Sequence, residues 1–271
     1  MGTVQTDLSE AAMANAIRAN LCDFFRFLTH KLPAGDRFEN DRFARWYTPL
    51  AHPWFNGMLC SASPTREDSD FIRETIQYFK GRKVGAFTCW LEPHLERADW
   101  EPLLSEHGFG FSEDTPGMAA GLDSFPETPA MPDGLVIRAV EDESALRSWA
   151  HVFTIGYGLP PDWESAIFEV WSAIGLEFPV RNYLGYLDGE PVSTSTVFYG
   201  AGVAGIYDVA TLPEARGSGL GTALTLAPLL DARQASYHIG VLQSSDMGFG
   251  VYKKMGFRHL CQIENFYRLL H

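Results

Sequence analysis

In the second half of the chain, the spacing of hydrophobic residues alternates between the two-residue repeat of a strand and the longer repeat of a helix. The segment LVIRAV, residues 135–140, predicts a short strand. Two β-rich runs around Asp188-Gly189 predict a hairpin. Further strands are predicted at 204–212, 238–244 and 257–269, and helices at 142–153, 162–175, 219–235 and in a short run that ends at 257. This order predicts an α/β domain.

The first half repeats part of this order. A helical pattern covers 70–83, a strand pattern 84–90 and a second helical pattern 100–109. The four residues EHGF, Glu106 to Phe109, stand where KMGF, Lys254 to Phe257, stands in the second half. The match predicts a duplicated fold.

A proline-rich segment separates the two halves. Residues 123–133 read DSFPETPAMPD, and proline removes a backbone donor and pushes the preceding residue out of helical space. The segment therefore predicts a linker between two domains, residues 1–130 and 131–271.

Composition restricts the class of protein. Hydrophobic residues make up 46% of the chain and the formal net charge is −13, so a packed core is expected. Because nucleic acid and anionic membranes repel such a charge, neither is an expected partner, whereas a cationic small molecule is tolerated. No run of about 20 apolar residues predicts a membrane span. The four cysteines form no CxxC pair, and no metal-binding motif occurs, which favours a metal-free cytoplasmic protein.

The segment LPEARGSGLGTALTLAPLL has the chemistry of an anion site. Gly217, Gly219 and Gly221 follow Arg216 and run directly into a helix-forming stretch. A helix N-terminus carries unpaired N–H groups and partial positive charge, and glycines let a phosphate approach them. The alternative is a tight turn that only packs the helix on a sheet. A nucleotide P-loop and a dinucleotide fingerprint both fit worse, since Gly-Lys-Ser/Thr is absent and the glycines come late in the domain.

The pattern Arg216-x-x-Gly219-x-Gly221, three residues after Pro213, resembles the first signature of the GCN5-related N-acetyltransferase (GNAT) family. The later run Tyr252-Lys-Lys-Met-Gly-Phe257 resembles its second signature, Tyr-x-x-x-Gly-Phe. The resemblance extends from about residue 135 to the C-terminus. The first half resembles a degenerate second copy, because it has neither the glycine pattern nor the tyrosine.

This resemblance implies an α/β (α+β) fold of tandem GNAT-like domains, each a mixed, mostly antiparallel sheet flanked by helices. It implies that 131–271 is a catalytic domain that binds acyl-CoA and that 1–130 binds no cofactor. The implied cofactor-binding residues are Val209, Ala210, Thr211, Arg216, Gly217, Ser218, Gly219, Leu220, Gly221, Thr222 and Ser245. Ser245 stands where many members have an asparagine.

The family's general-acid position falls on Tyr252, where a phenol can protonate a departing thiolate. The sequence does not single out a general base. Asp208 is the carboxylate nearest to the expected thioester, so it either takes the proton from the amine or attracts an ammonium group, unless it is only a strand-end aspartate. Glu169 and Glu177 are weaker candidates. Trp149, Tyr157, Trp163 and Trp171 lie where the family forms its acceptor wall, although such spacing is more typical of a core.

The sequence thus predicts an N-acetyltransferase that moves an acetyl group from acetyl-CoA to a primary amine of a small molecule or peptide. The amine attacks directly in a ternary complex, and a homodimer is a further option. The alternative is a regulatory protein that binds acyl-CoA without chemistry.

Overall fold

The computed structural model describes residues 3–127 and 131–270, except for the side chain of residue 114. The helices are α1 (Glu10–Lys31), α2 (Asp68–Gly81), α3 (Arg97–Glu106), α4 (Glu143–Gly156), α5 (Glu164–Ile174), α6 (Leu220–Gln234) and α7 (Asp246–Met255). The strands are β1 (Arg37–Glu39), β2 (Phe43–Trp46), β3 (Gly57–Cys60), β4 (Ala86–Leu91), β5 (Gly110–Gly121), β6 (Leu135–Ala139), β7 (Val180–Leu187), β8 (Glu190–Gly200), β9 (Val203–Thr211), β10 (Ile239–Gln243) and β11 (Arg258–Leu269).

The chain forms two compact units. The first consists of Met1–Leu21 and Pro116–Cys261, and the second of Cys22–Thr115 and Gln262–His271. These units differ from the division at residue 130 that the prolines predict, because the predicted linker 123–133 lies within the first unit. Part of that linker, 128–130, lies outside the described residues.

In the first unit, the sheet order is β5–β10–β9–β8–β7–β6. Its neighbouring strands pair antiparallel except β9 and β10, which run parallel and are connected through α6. The hydrophobic core between α6 and the sheet includes Tyr183, Val197, Ile206, Leu224 and Leu229. This core fixes the position of α6 against the strand that precedes it.

The helices α4 and α5 also belong to the first unit, and α4 begins where the sequence predicts. The Asp142 carboxylate accepts a 2.8 Å hydrogen bond from the backbone N–H of Ala145, which caps the helix. Trp149 on α4 and Trp171 on α5 are buried and their rings meet at 4.9 Å. These two tryptophans belong to the core, so they do not line an acceptor pocket.

In the second unit, the sheet order is β1–β2–β3–β4–β11. Here β3 and β4 form the parallel pair and α2 connects them, while the other pairs are antiparallel. A separate core forms around aromatic rings, among them Phe79, Phe87, Trp100 and Phe266.

The two units share one local order of elements. Each has a strand, a helix, a parallel strand and a second helix, and each second helix is followed by a glycine with positive φ, Gly108 at 74° and Gly256 at 102°. These glycines belong to the EHGF and KMGF segments. Each unit has the predicted architecture, a mixed and mostly antiparallel sheet flanked by helices.

Candidate active site

The site lies in the first unit, where β9 and β10 separate. Their parallel pairing covers only Ala204–Ile206 and Gly240–Leu242, yet β9 continues to Thr211. Beyond Ile206, the edge of β9 that faces away from β8 therefore has no partner from β10. Unpaired main-chain groups on such an edge can bond an extended ligand, as in β-strand addition. Val209, Ala210 and Thr211 lie on this stretch.

A β-bulge sits at the start of the same stretch. Thr194 of β8 pairs with Ala210, but Thr196 pairs with Tyr207, so β9 carries one residue more than β8 between these points. Asp208 is the residue in the left-handed region, with φ of 55°. The hydroxyl of Thr194 donates a 2.8 Å hydrogen bond to the Asp208 carbonyl. Bulges bend a strand and redirect a side chain, and they are frequent beside active sites.

The glycine loop leads into α6 with its amides open. Gly217 and Gly219 have φ of 80° and 84°, and Gly219 is the N-cap of α6 without any side-chain cap. The first helical bond shown at this end runs from Ala223 N–H to the Gly219 carbonyl, 3.1 Å. The N–H groups of 220–222 thus lie at the uncapped helix end, where an anion is favoured. A pyrophosphate therefore fits this helix end chemically. A residue other than glycine at position 217 or 219 would strain the backbone, because both positions have positive φ.

Arg216 and Ser218 use their side chains within the protein. The Arg216 guanidinium donates to the carbonyls of Thr211, at 3.2 Å, and of Gly156, at 2.7 Å. The Ser218 hydroxyl donates to the Ala215 carbonyl at 2.5 Å. These bonds hold the loop in shape, and the cofactor-binding role of both side chains stays a prediction.

Gly156, which the sequence does not single out, positions α4 beside the site. A Cβ at this residue would lie 2.8 Å from the Ala210 Cβ and 3.2 Å from the Thr211 nitrogen. The C-terminal end of α4 therefore packs directly on the unpaired part of β9. A glycine near a helix end is too common for its sequence position to predict this contact.

Tyr252 lies on α7 and packs against the core below α6. Its ring meets Phe257 edge to face at 5.9 Å. Burial raises the pKa of Tyr252, and the nearby Thr225 hydroxyl opposes that shift. The phenol therefore keeps its proton at neutral pH, as a general acid must.

Ser245 is the N-cap of α7. Its hydroxyl oxygen accepts a 3.2 Å hydrogen bond from the Gly248 N–H. The side chain thus stabilises the helix that carries Tyr252. Contact between Ser245 and the cofactor stays a prediction.

Two glycines in α7 give a matched pair of variants. A Cβ at Gly248 would lie 2.7 Å from a ring carbon of Tyr252, whereas a Cβ at Gly250 meets nothing within 4 Å. We expect Gly250→Ala to raise the free energy of unfolding by about 0.5–1 kcal/mol. Gly248→Ala should instead lower it by about 1–3 kcal/mol and reduce kcat, because the tyrosine ring must move. Urea unfolding and steady-state kinetics on both variants check this, and equal behaviour of the two would contradict the assigned packing.

Asp208 is half-buried and lies at the bulge of β9. Its Oδ2 atom is buried without a hydrogen-bond partner. Burial raises the pKa of Asp208 to about 7, against a weaker opposing effect of the nearby Thr196 hydroxyl. A carboxyl with this pKa can both accept and release a proton at neutral pH, which suits a general base.

Tyr157, at the end of α4, is a third ionisable residue near Asp208 and Tyr252. Burial raises its pKa well above the usual value, and the nearby charges of Asp208 and Tyr252 raise it further. The residue still has 37% of its surface accessible. Of the four aromatic residues predicted near the acceptor, Tyr157 is the one whose electrostatic neighbours are the two candidate catalytic groups. Trp163 is half-buried, and the candidates Glu169 and Glu177 are exposed.

The residues that the structure describes contain neither a metal-binding cluster nor a membrane-spanning helix. No group of three or more His, Cys, Asp or Glu side chains among them could hold a metal ion. No helix in the same residues has the length and apolar character needed to cross a membrane.

The second unit differs at the corresponding helix end. At the start of α2, the buried Asp68 carboxylate accepts bonds from the Arg42 guanidinium at 2.9 and 2.6 Å and from the Thr65 N–H at 2.6 Å. A protein carboxylate thus takes the favourable electrostatic position that an anionic ligand would need. That the first half binds no cofactor stays a prediction.

Comparison with known proteins identifies the domain. Residues 144–257 match the model of the Acetyltransferase (GNAT) family. This segment contains α4 to α7, the unpaired part of β9 and both sequence motifs. It is a GNAT domain, so the family resemblance is confirmed for this part of the chain. No curated protein matches the sequence.

Solved structures share the fold over nearly the whole chain. A GCN5-related N-acetyltransferase from Kribbella flavida has 16% identity and a TM-score of 0.65, covering 93% of this chain and 94% of that one. A functionally unknown conserved protein from Staphylococcus epidermidis has 14% identity and a TM-score of 0.61, covering 86% and 93%. A tandem GNAT protein from the clavulanic acid biosynthesis pathway has 12% identity and a TM-score of 0.58, covering 99% and 98%. At these identities the likeness concerns the fold, which is a tandem GNAT fold.

Proposed function

We propose that the GNAT domain transfers an acetyl group from acetyl-CoA to a primary amine of a small molecule or peptide. One observation carries the proposal. The strand β9 carries Asp208 and a stretch that β10 does not pair, and it leads through the glycine loop into the uncapped N-terminus of α6, while Tyr157 lies within electrostatic reach of both the candidate acid Tyr252 and the candidate base Asp208. The GNAT fold in general supports acyl transfer from acetyl-CoA, and this arrangement supplies the groups that such a transfer needs.

The residues present fit acetyl-CoA as co-substrate. Main-chain N–H groups of 217–222 would hold its pyrophosphate, and main-chain groups of 209–211 would hold the pantetheine arm. The co-substrate supplies an activated acetyl thioester. The protein's own contribution is to orient the co-substrate. The bonds of Arg216 fix the glycine loop, and the packing of Gly156 fixes the strand β9.

Asp208 would accept the proton that the amine loses. An alkyl ammonium group holds its proton near pH 10, so attack at neutral pH requires deprotonation. The half-buried carboxyl with a pKa of about 7 can take that proton directly or through one water. The negative charge also attracts a cationic acceptor into the site, in keeping with the net charge of −13.

Tyr252 would donate its proton to the departing thiolate. Its raised pKa keeps the phenol neutral. Tyr157 contributes an aromatic wall beside Asp208. We propose no chemical role for the first half, whose α2 end carries the Asp68–Arg42 pair.

An amine panel tests the proposal. Purified protein is incubated with acetyl-CoA and a set of alkyl and aromatic primary amines and amino-terminal peptides, and product is detected by mass spectrometry together with released thiol. The proposal expects an acetylated amine with equal thiol release, and less of both with Asp208→Asn. Binding of acetyl-CoA without product from any amine would instead favour the non-catalytic regulatory protein.

A further inference from the structure

The helix α1 is bonded to two strands of the first unit through one buried amide. Asn20 on α1 is 0% exposed. Its Nδ2 atom donates hydrogen bonds to two carbonyls of β8, that of Gly200 at 2.9 Å and that of Phe198 at 3.4 Å. Its Oδ1 atom accepts a 2.7 Å hydrogen bond from the hydroxyl of Tyr207 on β9. One side chain of α1 therefore connects β8 and β9.

The partners of Asn20 determine how its amide is oriented. Backbone carbonyls only accept hydrogen bonds, so the amide nitrogen must face β8, and the amide oxygen is left for the Tyr207 hydroxyl. Gly205 leaves room for both groups on β9, since a Cβ there would lie 2.0 Å from the Asn20 Oδ1 atom and 2.7 Å from a ring carbon of Tyr207. The contact thus depends on bare backbone in β9.

Tyr207 lies at the point where β9 loses a neighbour. The parallel pairing with β10 ends at Ile206, and the bulge opposite β8 begins directly after Tyr207. The next residues are Asp208, the candidate base, and 209–211, the stretch that would hold the pantetheine arm. A strand with one partner missing has fewer hydrogen bonds to restrict it, so a bond from a third element has more effect there than in the middle of a sheet.

The two ends of the bulge are held by different helices. At the far end, Gly156 of α4 packs on Ala210, where a Cβ at position 156 would lie 2.8 Å from the Ala210 Cβ. At the near end, α1 contributes the bond between Asn20 and Tyr207. Both contacts restrict the same short stretch of β9.

We propose that Asn20 is a positioning residue, whose bond to Tyr207 fixes the bulge of β9 and thereby the strand edge and the Asp208 carboxyl that acetyl transfer requires. For its effect on activity, the inference rests on the proposed function. Groups that act on a substrate keep their geometry only when neighbouring bonded side chains hold them. Asn20 lies outside residues 144–257, which match the GNAT family model, so this support comes from another part of the chain.

A pair of tyrosine variants separates positioning from stability. Tyr207→Phe removes the bond to Asn20 and keeps the ring beside Gly205. Tyr183→Phe is the matched control, because the Tyr183 hydroxyl on β7 also donates a 2.7 Å hydrogen bond, to the Oδ2 atom of Asp231. Each variant loses one hydroxyl and one hydrogen bond of the same length, so both should lower Tm. Asn20→Ala removes the Tyr207 bond from its other side.

The effect on β9 can be measured without activity, by amide hydrogen exchange of the ligand-free full chain with mass spectrometry. Peptides that cover 207–212 should exchange about 10-fold faster in Tyr207→Phe and in Asn20→Ala than in wild type. The control Tyr183→Phe should match wild type in these peptides. Because Tyr207→Phe and Asn20→Ala remove the same bond, combining them should give no faster exchange than Asn20→Ala alone.

Turnover gives the second readout. With an acceptor from the amine panel, kcat/KM should fall about 10-fold in Tyr207→Phe and stay at the wild-type value in Tyr183→Phe. If wild type transfers acetyl to no amine, the proposed function is refuted, and faster exchange at 207–212 in Tyr207→Phe and Asn20→Ala would still support the role of Asn20 in fixing the bulge.

Three results would overturn the inference. The first is exchange at 207–212 that is the same in wild type, Tyr207→Phe and Asn20→Ala, and if Asn20→Ala does not fold, unchanged exchange in Tyr207→Phe is sufficient. The second is a wild-type kcat/KM in Tyr207→Phe. The third is an equal loss of kcat/KM in Tyr207→Phe and Tyr183→Phe, because the loss would then follow from general stability.

Discussion

Replacing Tyr252 by phenylalanine should lower kcat by about 10²–10⁴-fold, the usual contribution of a positioned general acid. Phenylalanine keeps the ring that packs on Phe257 and removes only the hydroxyl. The thiolate must then leave without a proton from the protein, so the chemical step slows. Affinity for acetyl-CoA should change little, because the co-substrate contacts proposed here come from the glycine loop and β9.

The pH profile gives this prediction a second readout. A general acid must be protonated, so wild-type activity falls as pH rises through the pKa of Tyr252, which burial raises above its ordinary value. Tyr252→Phe should lose this alkaline limb. Tyr237→Phe is a matched control, since Tyr237 is a half-buried tyrosine whose ring lies 4.8 Å from the ring of Tyr199, outside the site. Unchanged turnover of Tyr252→Phe at every pH would refute the acid role.

Replacing Asp208 by asparagine should reduce activity while increasing stability at alkaline pH. The pKa of Asp208 is about 7 in the folded protein, against 3.8 as the ordinary value. A raised pKa means that the carboxyl contributes stability below pH 4 and loses it as pH rises through 7. Wild type at pH 8 therefore carries a half-buried charge that costs up to about 4 kcal/mol, and asparagine does not.

The free energy of unfolding of both proteins, measured in urea at pH 5 and pH 8, checks this. The advantage of Asp208→Asn should be about 2–4 kcal/mol larger at pH 8 than at pH 5. Its kcat should fall about 10²-fold or more, and the acid limb near pH 7 in wild-type kcat/KM should vanish. A stability difference independent of pH would mean that Asp208 is not buried as a titrating group.

Sequence patterns predict the second half of the chain well, since the turn residues Asp188-Gly189 and the Asp142 cap of α4 mark element boundaries. They miss α1 and the strands β1 to β3. The sequence analysis predicts no helix in the N-terminal segment, where α1 spans Glu10–Lys31. The strands β2 and β3 are four residues each and buried at every position, so they show no alternation to detect.

The candidate site also has some residues that the sequence predicts and others that it does not. The glycine loop and Tyr252 are recognisable because their chemistry is local in sequence. The bulge at Asp208 depends on how β8 and β9 align, and one extra residue in a strand leaves no mark on the hydrophobic pattern. The contact of Gly156 with β9 joins segments distant in sequence. Such partners become visible only when the strands are paired.

The central claim, that the glycine loop and the β9 edge hold acetyl-CoA, is tested most directly by calorimetric titration of the full chain. Acetyl-CoA should bind with micromolar affinity at one site per chain, while ATP and NAD should not bind. Gly219→Arg, which places a side chain in a left-handed position at the N-terminus of α6, should abolish that binding while circular dichroism shows an intact fold. No binding of acetyl-CoA to wild type, or full binding to Gly219→Arg, would contradict the account.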